Sequence, residues 1–346
     1  LLHDNTGARY FFIAIGLLIA SGFSVLAWMW QQPIAQPPIV YSEKKAKPAP
    51  TVYSPLTGVN VGSDSLASRP VTAVMIENSP DARPQSGLKD AGIVFEAIAE
   101  GGITRFIALY QEARPSLIGP VRSVRPYYVE WASAYDPAVA HIGGSARALE
   151  MIRSGNYGTD IDQFFNASSY WRANDRAAPH NVYTDFDRLD SLVASKGKAS
   201  SSFTPLPRKD AAKNKSSAAT AISIPVSSGV FAVDYVYDGK TNTYARKQGG
   251  EAHNDREKGQ IAPHVVIAIE VQMSRGMEDG NREQITTTGS GRAWIFQDGS
   301  VTEGQWQRVG TSDQFNFIDT QGKVVELNRG QTWISAVTHG RTPSWQ

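Results

Sequence analysis

Four arginines stand beside glycine and proline at the ends of apolar runs: Arg83, Arg105, Arg122 and Arg125. A guanidinium offers a planar fork of donors that matches phosphate and carboxylate oxygens. Arg122, Ser123 and Arg125 immediately precede Pro126, and proline suits the first turn of a helix. A helix start carries free N–H groups and partial positive charge. Gly143-Gly144-Ser145 is a second turn of the same kind. If these elements converge, Arg83, Arg105, Arg122, Ser123, Arg125, Gly143, Gly144 and Ser145 form an anion site. The same arginines have another use, in ion pairs with Glu77, Glu96 and Glu100.

Glu77, Glu100 and His141 are the candidates for general acid–base catalysis, which requires no fixed spacing. Ser145 follows two glycines, but the run fails G-x-S-x-G, so a helix N-cap suits it better than a nucleophile. His141, His180 and His253 have neither i, i+4 nor other short ligand spacing, so no metal site is expected. No cofactor motif stands out. Gly289-Ser290-Gly291 precedes a strand and reads as a turn or bulge. The sequence holds no cysteine, which excludes disulfides, thiolate metal sites, a cysteine nucleophile and a lipid-bearing cysteine within it.

The elements that must position these residues fall into two parts. Residues 54–194 mix strands and helices. Apolar runs at 71–76, 93–98, 103–110 and 139–142 read as strands, with Glu100-Gly101-Gly102 a tight turn. Helices are expected from Pro126 to about residue 135 and over 146–153. Residues 222–337 look mostly antiparallel β, with strand-like runs at 230–237, 265–273, 292–297, 305–309 and 332–337, as in a sandwich or curled meander. Residues 195–221, rich in Ser, Lys and Ala, read as an interdomain linker or disordered insertion. Residues 338–346 form a tail. Trp131, Tyr170, Trp171, Trp294, Trp306 and Trp333 could stack on sugars or partners, but core filling is their usual use.

Ahead of these parts lies one long apolar segment. Residues 10–30 run 21 positions without a charge, flanked by Tyr10, Phe11 and Phe12 at one end and Trp28 and Trp30 at the other. That length crosses a bilayer core, and the aromatic ends match interface anchors. Two tryptophans make a poor cleavage site, so an uncleaved anchor is expected. Residues 1–9 are a short tail before it, and the Pro-rich 31–53 reads as a stalk. Arg9 before the segment and Lys44, Lys45 and Lys47 after it leave orientation open on charge. Net charge is +1, from 34 basic and 33 acidic residues, which argues against a nucleic-acid binder.

Several ordered motifs together resemble the YerB-like family of bacterial lipoproteins, a family with a domain of unknown function. They are Pro55-Leu56-Thr57-Gly58, Glu77-Asn78 with Arg83-Pro84-Gln85-Ser86-Gly87-Leu88, Glu100 to Phe106, Gly119-Pro120-Val121-Arg122-Ser123 with Arg125, and His141 with Gly143-Gly144-Ser145. Tyr244 with Arg246, His253 with Asp255, and Gly289-Ser290-Gly291 continue the likeness. The resemblance implies a two-part extracytoplasmic protein on a bacterial membrane and no particular reaction. The family's lipid-bearing cysteine is missing, and the transmembrane helix would replace it. The expected fold class is α+β: a transmembrane helix, a mixed α/β first domain and a mostly antiparallel β second domain. The leading functional expectation is a membrane-anchored envelope protein that binds an anionic envelope polymer, lipid phosphate or peptide, or an envelope protein partner. The alternative is an envelope hydrolase or transferase using Glu77, Glu100 or His141, with the arginines holding substrate. A purely structural role is a third reading.

Overall fold

The computed structural model describes residues 6–31, 51–212, 216–277, 280 and 282–346. The stalk reading over 32–50 and the first five residues of the tail lie outside them. Two units are present, Leu1–Pro48 and Ala49–Gln346. The first contains helix α1 (Thr6–Trp30). Its stretch Tyr10–Trp30 has a mean hydropathy of 2.2, and none of it is buried. Ser21 and Ser24 donate their hydroxyls to the carbonyls of Leu18 and Ala20 at 2.9 and 2.8 Å. Both serine hydroxyls of the apolar stretch are thus satisfied within the helix itself.

The second unit is built on a twelve-stranded sheet. In chain order its strands include β1 (Thr72–Glu77), β2 (Ile93–Glu100), β3 (Ile103–Tyr110), β4 (Ala138–Ala140) and β5 (Thr159–Asp160). Helices α2 (Pro126–Ser133), α3 (Ala146–Arg153) and α4 (Phe186–Ser195) intervene or follow. Next come β6 (Arg208–Lys209), β7 (Ala221–Ile224), β8 (Val233–Asp238), β9 (Thr243–Gln248) and β10 (Glu251–Ala252). The chain then forms β11 (Val265–Val271), β12 (Gly289–Gln297), β13 (Ser300–Arg308) and β14 (Asn316–Asp319). It ends with β15 (Leu327–Asn328), β16 (Thr332–Thr338) and β17 (Ser344–Trp345).

The large sheet runs β14-β13-β12-β11-β16-β2-β3-β1-β4-β5, and a hairpin of Met273–Met277 and Arg282–Ile285 joins it opposite Glu100. β1 and β11 are buried along their whole length, which explains their continuous apolar sequences. Alternate side chains serve opposite faces. Ala73 and Met75 of β1 pack with Trp131 and Ile152 of α2 and α3, whereas Val74 and Ile76 pack with Phe186 and Leu189 of α4. Further along that second face, Trp294 and Phe296 meet Tyr235 and Tyr244 of a smaller sheet, ordered β10-β9-β8-β7-β17. Trp131, Trp294, Trp306 and Trp333 are all buried, as tryptophan's apolar area favours.

Helix α3 occupies the expected residues, and the Ser145 hydroxyl accepts from the Ala148 N–H as its N-cap. Two expectations change. Residues 222–337 do not close a sandwich of their own, because β16 lies between β11 and β2 and pairs in parallel with both. Residues 195–221 are not simply a solvated connection. Leu206 is buried, and β6 pairs in parallel with β15. Arg208 donates to the carbonyls of Leu56 and Asn328 and to the Thr332 hydroxyl, at 2.8, 3.0 and 2.8 Å. A few well-placed large side chains outweigh the polar composition around them.

Candidate functional site at the carboxyl ends of the strands

β1 pairs in parallel with β4, and β4 with β5. β3 is antiparallel to both β1 and β2, and β2, β16 and β11 are parallel to one another. Six strands therefore share one direction. Their carboxyl ends form a rim, the edge where ligands of open α/β sheets usually bind. Glu77 closes β1, Glu100 closes β2, His141 follows β4, and Asp160 closes β5. Arg105 enters through its register opposite Glu77.

Residues 121–125 lie across this rim as a strap. The Arg122 N–H donates to the Met75 carbonyl at 2.9 Å, and the Ile142 N–H to the Arg122 carbonyl at 3.2 Å. Val124 forms a parallel bridge with Gly144, where an added Cβ would lie 2.8 Å from the Val124 side chain. Glycine at 144 is thus what lets the strap dock. The Ser123 hydroxyl donates to the Ile142 carbonyl at 2.9 Å.

The strap brings the arginines onto carboxylates. Arg105 and Arg125 both pair with Glu100, the former at 2.9 Å. Burial pushes the Glu100 carboxyl up, but the two guanidinium groups outweigh it and hold the pKa below the ordinary value. Both arginine side chains are almost fully buried. Arg83 is spent on the Asn78 side chain and carbonyl and on the Val230 carbonyl, at 3.2, 2.9 and 2.8 Å. The ion-pair use of these residues is realised for Glu77, with Arg122, and for Glu100, while Glu96 pairs with Arg246 instead.

Arg122 differs from the other three. Its Nε lies 3.3 Å from Glu77 Oε1, its side chain is 25% exposed, and its terminal nitrogens make no hydrogen bond among the described residues. Glu77 is only 5% exposed and therefore acts as a fixed pivot. On the same carboxylate oxygen sit the Ser79 hydroxyl, which donates at 2.9 Å, and His180 Nδ1 at 2.9 Å. His180 and Ser79 are the members of this group that sequence reasoning missed. A pairing 101 residues apart leaves no local spacing to read.

This group is not a nucleophilic relay. Ser79 and Glu77 share one ring nitrogen of His180, whereas a Ser–His–acid relay needs them on opposite nitrogens. His141 is also ill placed to meet a substrate. Its side chain is fully buried, with Nδ1 2.9 Å from the Gly143 carbonyl and Nε2 3.0 Å from Asp160. Ser145 is buried as a cap, and the Gly143 and Ser145 amides are spent on Asp162 and Val124. Their side of the rim is therefore structural. His141, Asp160 and Asp162 place ligand-type atoms within 4.8 Å of one another. However, Arg153 lies 3.8 Å from Asp160 and 3.2 Å from Asp162, so the cluster already has its cation. Burial raises the Asp160 pKa, and the hydrogen bond and charge of His141 more than reverse this.

Beneath the rim runs a sealed relay. Glu96 and Arg246, both without exposure, pair at 2.9 Å. Arg246 Nε donates to His253 Nδ1 at 2.8 Å, and His253 Nε2 then donates to Gln85 Oε1 at 2.9 Å. Gln85 Nε2 donates to the Glu77 carbonyl and to Asn78 Oδ1, each at 2.9 Å. This assigns His253 as the neutral Nε2–H tautomer. Burial, then the charges of Arg246 and Arg83, push its pKa well below the ordinary value. The relay links the Arg122 pivot to the later half of the chain.

Residues 56–200 match the family described as "Protein of unknown function (DUF3048) N-terminal domain", and residues 222–334 match its C-terminal domain. The chain is 35% identical over 304 residues to "Putative lipoprotein YerB" of Bacillus subtilis (strain 168), covering 85% of this chain and 89% of the relative. The chain belongs to the DUF3048 family. The crystal structure of Bacillus subtilis YerB superimposes on it with a TM-score of 0.77 at 32% identity, covering 85% of this chain and 99% of the other. The α+β architecture is therefore shared with a solved relative.

Proposed function

We propose that this DUF3048 protein is a membrane-tethered, extracytoplasmic binding protein that captures an anionic group at Arg122. The observation that carries the reading is the Arg122 fork. Its Nε lies 3.3 Å from a buried carboxylate, and among the described residues neither terminal nitrogen makes a hydrogen bond. A guanidinium placed beside the rim by this ion pair offers its terminal N–H groups in the planar geometry that a phosphate or carboxylate accepts. His180, 21% exposed on the same pivot, is a second group for the anion. The ligand is a phosphate of an envelope polymer or lipid, or a carboxylate on a peptide or protein partner. Support for the tether comes from Tyr10–Trp30, which is long, apolar and uncovered, and from the lipoprotein name of the relative.

The test is calorimetric titration of the full chain, held in nanodiscs of neutral lipid, with oligomers of glycerol phosphate and with acidic peptides. Charge-assisted hydrogen bonds are worth about 1.5–3 kcal/mol. Arg122→Ala should therefore weaken binding about 10- to 100-fold, with circular dichroism showing that the variant keeps its fold. Absence of binding by the wild type, or equal affinity in the variant, would sink the reading.

A further inference from the structure

At the opposite edge of the sheet, where β4 and β5 begin, a cavity of about 470 Å³ opens between four segments, one of them the α2–β4 connection with Asp136. Asn156 and Tyr157 come from the loop between α3 and β5, and Ser202, Phe203 and Thr204 from the connection that composition marks as a linker. Ser312 and Asp313 come from the loop after β13. The volume is that of a small-molecule site.

Four features define what would fit. Among the described residues no Lys, Arg or His lines the walls, so an anion would find no counter-charge from them. The side chains of Asn156, Thr159, Ser202, Thr204 and Ser312 make no hydrogen bond to protein among the described residues. Asp136 is held by Lys198 Nζ at 2.7 Å and by the Ser202 N–H at 3.0 Å, and Asp313 by the Gly310 N–H at 2.7 Å. Each carboxylate is fixed by these bonds and keeps further acceptor capacity for hydroxyls. Tyr157 and Phe203 are half-buried and packed on the core, Phe203 edge-on to Tyr135 at 5.5 Å. Both side chains line the cavity and remain partly exposed, so each brings apolar atoms to an otherwise polar wall.

We propose that this cavity binds a neutral saccharide. A sugar ring has an apolar C–H face for Tyr157 and Phe203, and a rim of hydroxyls for the amide, hydroxyl and carboxylate groups around them. The site is distinct from the Arg122 fork and does not rest on it. Because one wall comes from each half of the chain and one from the connection, the connection's docked course acquires a use.

The test is titration of the full chain, in a detergent without a sugar headgroup, with cellobiose, maltose and N,N′-diacetylchitobiose. At least one should bind saturably. Asn156→Ala and Thr159→Val, both outside the core, should each weaken that binding at least tenfold, and Arg122→Ala should leave it unchanged. If no disaccharide binds, or if binding survives both cavity substitutions, the proposal is overturned.

Discussion

His253 receives a hydrogen bond on Nδ1 and gives one from Nε2, so a second proton has nowhere to sit. The sign of its effect follows. Below about pH 6.5 an unfolded histidine takes up a proton that the buried one refuses. The unfolded state then binds more protons, so stability falls as pH drops below that value. His264, lowered by burial and then by Arg208, adds to the fall. Urea unfolding at pH 7.5 and 5.5 should show wild-type stability decreasing, by at most about 1.4 kcal/mol per pH unit for one proton. His253→Gln should flatten that dependence, and equal slopes in both proteins would count against the tautomer assignment. At this scale the sequence displays which residue types are present but not which ones meet. Arg122 and Glu77 stand out through their motifs. Ser79 and His180 do not, because only the folded chain brings them to the same oxygen. Arg83, Arg105 and Arg125 look equivalent to Arg122 in sequence and differ only in what their nitrogens are spent on.

Among the elements, local signals were the most legible. Pro126 opens α2, Ser145 caps α3, and the Gly101-Gly102 turn joins β2 to β3, each through chemistry contained in a few neighbouring residues. The course of residues 199–212 was not legible. Its composition is that of a linker, and its order comes from Leu206 in the core and Arg208 on distant carbonyls. Leu206→Ala should therefore lower stability by about 2–5 kcal/mol, as for a core leucine. A loss under half a kcal/mol in chemical denaturation would return the segment to the status of a linker.

The whole molecule rests on a pairing that no local pattern announces. Sequence composition separates an α/β half from a β half, yet β16 from the later half sits against β2 of the earlier one, and Glu96 binds Arg246 across the same boundary. Removing one member of such a buried pair costs about 3–5 kcal/mol. Residues 49–200 expressed alone should thus show no cooperative melt, and the co-expressed halves should recover one. A cooperative melt of the isolated earlier half would mean that the shared sheet is dispensable. The rim that carries Arg122 depends on this assembly, because the relay beneath its pivot ends on residues of the later half. The most direct test of the central claim is to watch the Arg122 guanidinium itself. In nitrogen-15 NMR spectra of the arginine-labelled full chain, titration with glycerol phosphate oligomers should shift the Arg122 signal saturably and leave that of Arg246 in place. An Arg122 signal that stays fixed while ligand binds elsewhere would contradict the account.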